Sequence, residues 1–167
     1  MMEQTSKMIK ALIALGNMGE EYKKTYHNVG VFVSAVIARL VAEEGAGQIQ
    51  LYEPVGFMNE SGAVAKSWLK YHNLSLDDAV VVHDDSDLPV GSYKLVKGGG
   101  SAGHKGIESL VSHFGTEGFL RLRVGIRNPN EAVRAKSGDF VLKQWNAQDE
   151  QQFVAVAQRA WKEIQII

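Results

Sequence analysis

The chain has 167 residues, of which 45% are hydrophobic and 22% charged, with a formal net charge of −1, and this balance is typical of one soluble globular domain. It contains no cysteine, which excludes a disulfide framework, a thiol nucleophile and a zinc-thiolate site. The sequence has no membrane-length apolar run and no signal-peptide core, so we expect a cytoplasmic protein. We predict a mobile extension at residues 1–7 and a single domain at 8–167.

Strand and helix patterns alternate along this domain. Strand patterns occupy residues 8–15, 49–55, 79–83, 92–97 and 119–126, and helix patterns occupy residues 29–41, 61–72, 107–114 and 148–166. The first strand pattern is almost continuously apolar, as in a strand buried on both faces, whereas Pro54 places the second near an edge. Ser61 is a candidate helix N-cap. The alternation predicts a three-layer α/β domain in which helices flank a mixed, mostly parallel sheet.

A glycine-rich segment, Gly98-Gly-Gly-Ser-Ala-Gly-His-Lys-Gly106, precedes the third helix pattern. Glycines adopt positive φ and let backbone N–H groups approach an anion, and a helix N-terminus favours negative charge. We therefore interpret the segment as a ligand-binding loop, with a linker or a tight helix-entry turn as the alternative. Its match to G-x-G-x-x-G is weak evidence for a nucleotide cofactor, because the pattern alone is not specific and arises late in the chain.

The charge is unevenly distributed along the chain. Residues 1–93 carry 7 basic and 12 acidic side chains, whereas residues 94–143 carry 9 basic and 4 acidic ones. A basic region beside the glycine-rich segment indicates a polyanion that docks by phosphate neutralisation. A solvated basic face with no ligand remains the alternative.

Polar residues follow several predicted strands, where ligands of α/β sheets bind. His27 and Asp84 are the pair that we expect to carry chemistry, because a carboxylate on one imidazole nitrogen makes the other a base that can activate water. The alternative for His27 is a backbone hydrogen bond at a helix entry. Asn17 and Asn59 could hold a carbonyl or a water, although each is also a common turn or cap residue. A metal site in the acidic run 83–87 ranks lower, because adjacent residues point in different directions.

Six segments together resemble the bacterial-type peptidyl-tRNA hydrolase family, in order and spacing from residue 8 to about 142. They are Ala14-Leu-Gly-Asn-Met-Gly19, Tyr22 with Thr25-Tyr-His-Asn28, Phe57-Met-Asn-Glu-Ser-Gly62, His83-Asp-Asp-Ser-Asp-Leu-Pro-Val-Gly91, Gly98-Gly-Gly-Ser-Ala-Gly-His-Lys-Gly106 and Arg121-Leu-Arg-Val-Gly-Ile126. The resemblance implies the fold of that family. It also implies cleavage of the ester that joins a peptide to the 3′ ribose of tRNA, which rescues tRNA during translation.

The resemblance further implies a role for each matching residue. His27 would activate water with Asp84 as its orienting partner, and Asn17 and Asn59 would position the peptide carbonyl and the water. The residues implied to contact substrate are Tyr22, Met58, Gly103, His104, Lys105, Arg123 and either Lys94 or Lys97. The expected partner is the acceptor stem and 3′ end of peptidyl-tRNA, recognised through phosphates without base readout. No metal, organic cofactor or membrane partner is implied, and we expect a monomer.

The chain departs from the family pattern in four places. Met18 replaces the usual Pro, and Lys105 replaces the usual Asn, which exchanges an amide for a cation. The segment at 42–56 is short, so we expect one strand fewer than in the family, and we also expect a shortened C-terminal tail. An RNA-binding homologue with weak or no catalysis is therefore the alternative function. A small-molecule α/β hydrolase has no support, since no G-x-S-x-G motif is present.

Overall fold

The computed structural model of the protein describes residues 7–130 and 137–167, so the extension predicted at residues 1–7 lies, except for Lys7, outside the described residues. The elements in chain order are β1 (Ala11–Ala14), α1 (Val29–Glu43), β2 (Gln50–Tyr52), α2 (Ser61–Tyr71), β3 (Ala79–Pro89), β4 (Tyr93–Lys97), α3 (Lys105–Phe114), β5 (Leu120–Arg127), α4 (Ser137–Phe140) and α5 (Ala147–Ile164). Short 3-10 turns precede α1 at Tyr26–Asn28 and α2 at Met58–Glu60.

The strands form one five-stranded sheet in the order β2-β1-β3-β5-β4. The pairs β1–β2, β1–β3 and β3–β5 are parallel, and β4 pairs antiparallel with β5. The mixed, mostly parallel sheet predicted from the alternation is therefore confirmed. The edge position of β2 is confirmed. Of the strand predicted at residues 8–15, Ala11–Ala14 form β1 and are fully buried as expected, whereas Met8 is 74% exposed and precedes the strand.

Helices cover both faces of the sheet, which confirms the three-layer prediction. On one face, Leu12 and Val82 pack with residues of α1 and α5. On the other face, Ile13 and Val81 pack with residues of α2 and α3. Successive residues of a strand point to opposite faces, so the apolar runs of β1 and β3 fill both core layers.

Three local expectations are corrected by the structure, and one short helix was not predicted. β3 continues to Pro89, beyond the predicted end at residue 83, because Asp84 and Asp85 still pair with β5. β2 has only three residues within the predicted range 49–55. Ser61 is the first residue of α2 and not its N-cap, since its hydroxyl donates to the carbonyl of Met58. The short helix α4 has no counterpart in the sequence prediction.

Two glycines permit the close packing that shapes one end of the sheet. A Cβ on Gly30 would lie 2.4 Å from the carbonyl oxygen of Val82, so the start of α1 rests directly on the backbone of β3. A Cβ on Gly62 would lie 2.1 Å from the carbonyl oxygen of Ser109, so α2 rests on α3. The first contact brings the start of α1 to β3, and the second holds α2 against α3. In the described part of the chain, no helix has the length and apolar character needed to cross a membrane.

Candidate active site

Asp84 lies at the centre of a cluster of histidines at this end of the sheet. Its Oδ1 is 2.9 Å from Nδ1 of His27 and 2.7 Å from Nε2 of His104. The Asp84 side chain is 4% exposed, and the two histidine side chains are 14% and 9% exposed. A single buried carboxylate oxygen therefore accepts hydrogen bonds from both imidazoles.

The position of His104 fixes its tautomer. His104 is the N-cap of α3, and its Nδ1 accepts hydrogen bonds from the backbone N–H groups of Gly106 and Ile107 at 3.1 and 3.3 Å. The lone pair must therefore be on Nδ1 and the proton on Nε2, which donates to Asp84. The positive end of the α3 dipole further disfavours a proton on Nδ1. His104 thus donates a hydrogen bond to Asp84 from Nε2.

His27 has the complementary arrangement. Its Nδ1–H donates to Asp84, which leaves the lone pair on Nε2 available to accept a proton from water. The backbone N–H of His27 donates to the carbonyl of Val141 at 2.8 Å, so the residue is fixed at both its main chain and its side chain. A histidine oriented by a carboxylate in this way is suited to general-base chemistry.

The charge states follow from burial and hydrogen bonding. Burial alone would raise the pKa of Asp84, but its close contacts with His104 and His27, both at hydrogen-bond distance, lower that pKa well below its usual range. His83 donates from Nδ1 to the carbonyl of Asp84, and burial lowers the pKa of His83 to about 3, so its ring is neutral at pH 7. Asp84 is therefore ionised at neutral pH.

The same three side chains are also a candidate metal site. The ligand atoms of His27, Asp84 and His104 lie within 4.8 Å of one another. His104 is a poor ligand, however, because its Nε2 carries the proton while its Nδ1 lone pair caps α3. Asp85 is directed to the opposite face of β3 and pairs with Arg123 at 2.6 Å, so the acidic run does not converge on one point. The expectation of metal-free chemistry therefore stays a prediction that is consistent with the hydrogen bonds.

A cavity of about 330 Å³ opens beside the cluster. Its lining includes the site residues His27, Asp84, Gly103, His104, Lys105 and Arg123, together with His83, Asp85, Ser86, Gly100, Ser101, Ala102, Arg121, Gly138, Val141 and Leu142. The glycine-rich segment thus forms one wall, with positive φ at Gly98, Gly99 and Gly103, and it leads into α3 as predicted. A ligand in this cavity would lie against His27.

A protein-family model for peptidyl-tRNA hydrolase matches residues 11–167. The chain belongs to the peptidyl-tRNA hydrolase family. It is similar to the peptidyl-tRNA hydrolase of Geobacter metallireducens, with 38% identity over 83% of this chain and 77% of the relative. The corresponding protein of Aquifex aeolicus is 36% identical over 91% of this chain and 86% of the relative. The crystal structure of the Acinetobacter baumannii enzyme has 25% identity and a TM-score of 0.76, covering 95% of this chain and 87% of that one.

The two asparagines singled out by the family motifs lie outside the cavity lining, and Asn17 is hydrogen-bonded to Asn28, the residue after His27. Oδ1 of Asn17 accepts the backbone N–H of Met58 at 2.8 Å, while the Met58 side chain is buried in the core. Asn59 is exposed in the following 3-10 turn. Tyr22 is half-buried in a separate turn and is likewise absent from the cavity lining.

Asn28 is a residue of the site whose contacts the sequence analysis missed. Its Oδ1 accepts the backbone N–H of Asn17 at 2.8 Å, and its Nδ2 donates to the Asn17 carbonyl at 2.9 Å. Asn28 occupies the N-cap position of α1 but makes no side-chain cap hydrogen bond, since its side chain is turned to Asn17. Its place directly after His27 in a family motif was the available signal.

The basic residues of 94–143 do not all face solvent. Arg121 is 2% exposed and donates to the carbonyls of Gly99 and Gly100, so it holds the glycine-rich segment instead of facing phosphates. Lys94 lies opposite Arg123 in the β4–β5 pair, on the same face of the sheet, whereas Lys97 lies opposite Leu120 on the other face. Of these two lysines, the strand register therefore places Lys94 on the face that carries Arg123.

The departures from the family pattern have visible consequences. Met18 is 59% exposed, and its backbone N–H donates to Gly56 at 2.9 Å, which with Asn28 holds the Asn17 turn in the absence of a proline. Lys105 is exposed at the first turn of α3, with its Nζ 3.4 Å from Glu108. The short segment at 42–56 contains β2, and the expectation that one strand is missing relative to the family stays a prediction.

Proposed function

We propose that this chain hydrolyses the ester between the peptide and the 3′ ribose of peptidyl-tRNA, with His27 as the general base. The observation that carries the proposal is the hydrogen bond from His27 Nδ1 to Asp84 at 2.9 Å, in a residue that lines the cavity. It leaves Nε2 as the basic atom facing incoming water. Membership of the peptidyl-tRNA hydrolase family supports the substrate class.

In the proposed reaction, His27 Nε2 takes a proton from water while the water oxygen bonds to the ester carbonyl carbon. The ester C–O bond then breaks, and His27 returns the proton to the 3′ oxygen of the ribose. Asp84 stays ionised and stabilises the imidazolium that forms between these two steps. The products are a peptide with a free carboxyl group and a tRNA with a free 3′ hydroxyl. No metal or organic cofactor takes part.

Two asparagines are proposed to orient the reacting groups. The side-chain oxygen of Asn17 is engaged by Met58, which leaves its amide N–H₂ group to donate to the peptide carbonyl. Asn59 makes no side-chain hydrogen bond within the described residues, so both ends of its amide can serve a water or the carbonyl. Tyr22 and Met58 are proposed to shape the path toward these groups.

The basic residues are proposed to hold the tRNA. Arg123 and Lys94 share a face of the sheet beside the cavity, which supports phosphate contacts from this pair ahead of Lys97. Gly103, His104 and Lys105 form the neighbouring cavity wall, against which the 3′ end would lie. We further propose that the protein acts as a cytoplasmic monomer.

The proposal is tested by release of free tRNA from a short N-blocked peptidyl-tRNA in the presence of a chelator. Wild-type protein should release tRNA, and His27→Ala should reduce kcat by about 10² to 10⁴-fold. The matched control is His72→Ala, which should retain activity. His72 lies at the C-terminal end of α2. If folded wild-type protein binds tRNA in a salt-sensitive way but releases none, the RNA-binding alternative is favoured instead.

A further inference from the structure

Tyr26, the residue before His27, is anchored by the C-terminal part of the chain. Its hydroxyl donates to Oδ2 of Asp149, the third residue of α5, at 2.5 Å. Its ring stacks on Phe140 with centroids 4.8 Å apart and meets the edge of Phe153 at 6.4 Å. Burial, followed by the hydrogen bond to Asp149, raises the pKa of Tyr26, so the hydroxyl stays protonated as a donor.

The anchor is firm because Asp149 is part of a long, packed helix. α5 has 18 residues, begins with an Asn146 cap that accepts the backbone N–H of Asp149 at 2.8 Å, and buries Phe153 in the core. A carboxylate in the first helical turn also interacts favourably with the helix dipole. Tyr26 is thus bound to a rigid element, whereas its own 3-10 turn has only three residues.

Backbone hydrogen bonds also join the segment around Tyr26 to the C-terminal part of the chain. The backbone N–H of Tyr26 donates to Lys143 at 3.0 Å, and that of His27 donates to Val141 at 2.8 Å. Thr25 forms an antiparallel bridge with Gln144, so residues 24–27 and 141–145 run side by side. Val141 and Leu142 also line the cavity. One segment therefore carries the cavity wall and supports the backbone of His27.

We propose that Tyr26 is a positioning residue that fixes His27 relative to the cavity wall through its hydrogen bond to Asp149 and its stacking on Phe140. The inference rests on the proposed function and adds a residue to which no role was assigned. A general base must be held within about 0.5 Å of its productive position, and a displacement of about 1 Å costs up to 10²-fold in rate. Tyr26 does not line the cavity and its hydroxyl bonds Asp149, so its effect on catalysis passes through His27.

The test removes the hydroxyl while keeping the ring. Tyr26→Phe should lower kcat about tenfold with KM within twofold of wild type, because tRNA contacts are untouched. Asp149→Ala should have the same effect, and the double variant should be no worse than either single one. Asp149→Asn should recover part of the rate, since its amide oxygen can still accept from Tyr26. Tyr71→Phe, which removes an exposed hydroxyl from α2, is the matched control.

Several outcomes would overturn the inference. They are a kcat of Tyr26→Phe within twofold of wild type, a change confined to KM, and a loss of rate that only follows the fraction of unfolded protein. If wild-type protein releases no tRNA at all, the proposed function fails, and amide hydrogen exchange still tests the anchor. Tyr26→Phe should then speed exchange at Tyr26 and His27, and unchanged exchange at both would refute it.

Discussion

His27 and His104 share one oxygen of Asp84, although they approach it from different elements and their ring centroids are 5.1 Å apart. His27 comes from the turn before α1, and His104 caps α3. The shared oxygen means that the second carboxylate oxygen does not take part in either contact. His104 thus fixes the orientation of the carboxylate that in turn orients His27.

The first prediction concerns the charge of Asp84. Asp84→Asn keeps the size of the side chain but removes the negative charge that stabilises the His27 imidazolium. We expect kcat for tRNA release to fall by about 10² to 10⁴-fold, with little change in KM. Asp87→Asn, an exposed position in the same acidic run, is the matched control and should stay within twofold of wild type.

The second prediction separates the two roles of His104. His104→Ala removes the α3 cap and should lower the free energy of unfolding by about 1 kcal/mol, as urea denaturation would show. Asn is a good N-cap, so His104→Asn should recover most of this stability. Its shorter side chain should not restore the contact with Asp84, and kcat should remain low in both variants. Recovery of full activity by His104→Asn would mean that capping is the only role of His104.

The third prediction concerns the pH dependence of stability. Burial lowers the pKa of His83 to about 3, so between pH 6.5 and pH 3 the unfolded chain binds a proton that the folded chain does not. The stabilisation from neutral His83 is therefore complete above pH 6.5 and is lost as the pH falls toward 3, by at most about 1.4 kcal/mol per pH unit.

His83→Asn is the variant that tests this dependence, because its amide can still donate near the position of Nδ1. The difference in unfolding free energy between wild type and variant should be constant above pH 7. As the pH is lowered from 6.5, the wild type should lose more unfolding free energy than the variant. If the two unfolding free energies differed by a constant amount over the whole pH range, folding would not lower the pKa of His83.

The fourth prediction uses the register of β4. Lys94 shares a face with Arg123, and Lys97 lies on the opposite face. Lys94→Ala should weaken tRNA binding and reduce the slope of log K against log salt by about one counterion, whereas Lys97→Ala should change the slope less. Filter binding over a range of salt concentrations measures both. Equal slopes for the two variants would contradict the assignment from register.

The local structure was largely predictable from the sequence. The apolar run of β1, the proline beside β2 and the helical spacing after the glycine-rich segment depend on neighbouring residues, and short-range periodicity reports them directly. β3 was predicted too short, because its acidic continuation resembles a surface turn. Pairing with β5 outweighs that local preference.

The sequence by itself determined the α/β alternation, the family motifs and the candidate pair His27 and Asp84. Only the tertiary structure decided that His104 joins them, that Arg121 holds the glycine-rich segment and that Lys94 rather than Lys97 accompanies Arg123. His27 is 57 positions from Asp84, and His104 is 20 positions from it. Contacts at such separations depend on strand register and on how helices pack across the sheet, and these are fixed cooperatively by the whole core rather than by any local segment.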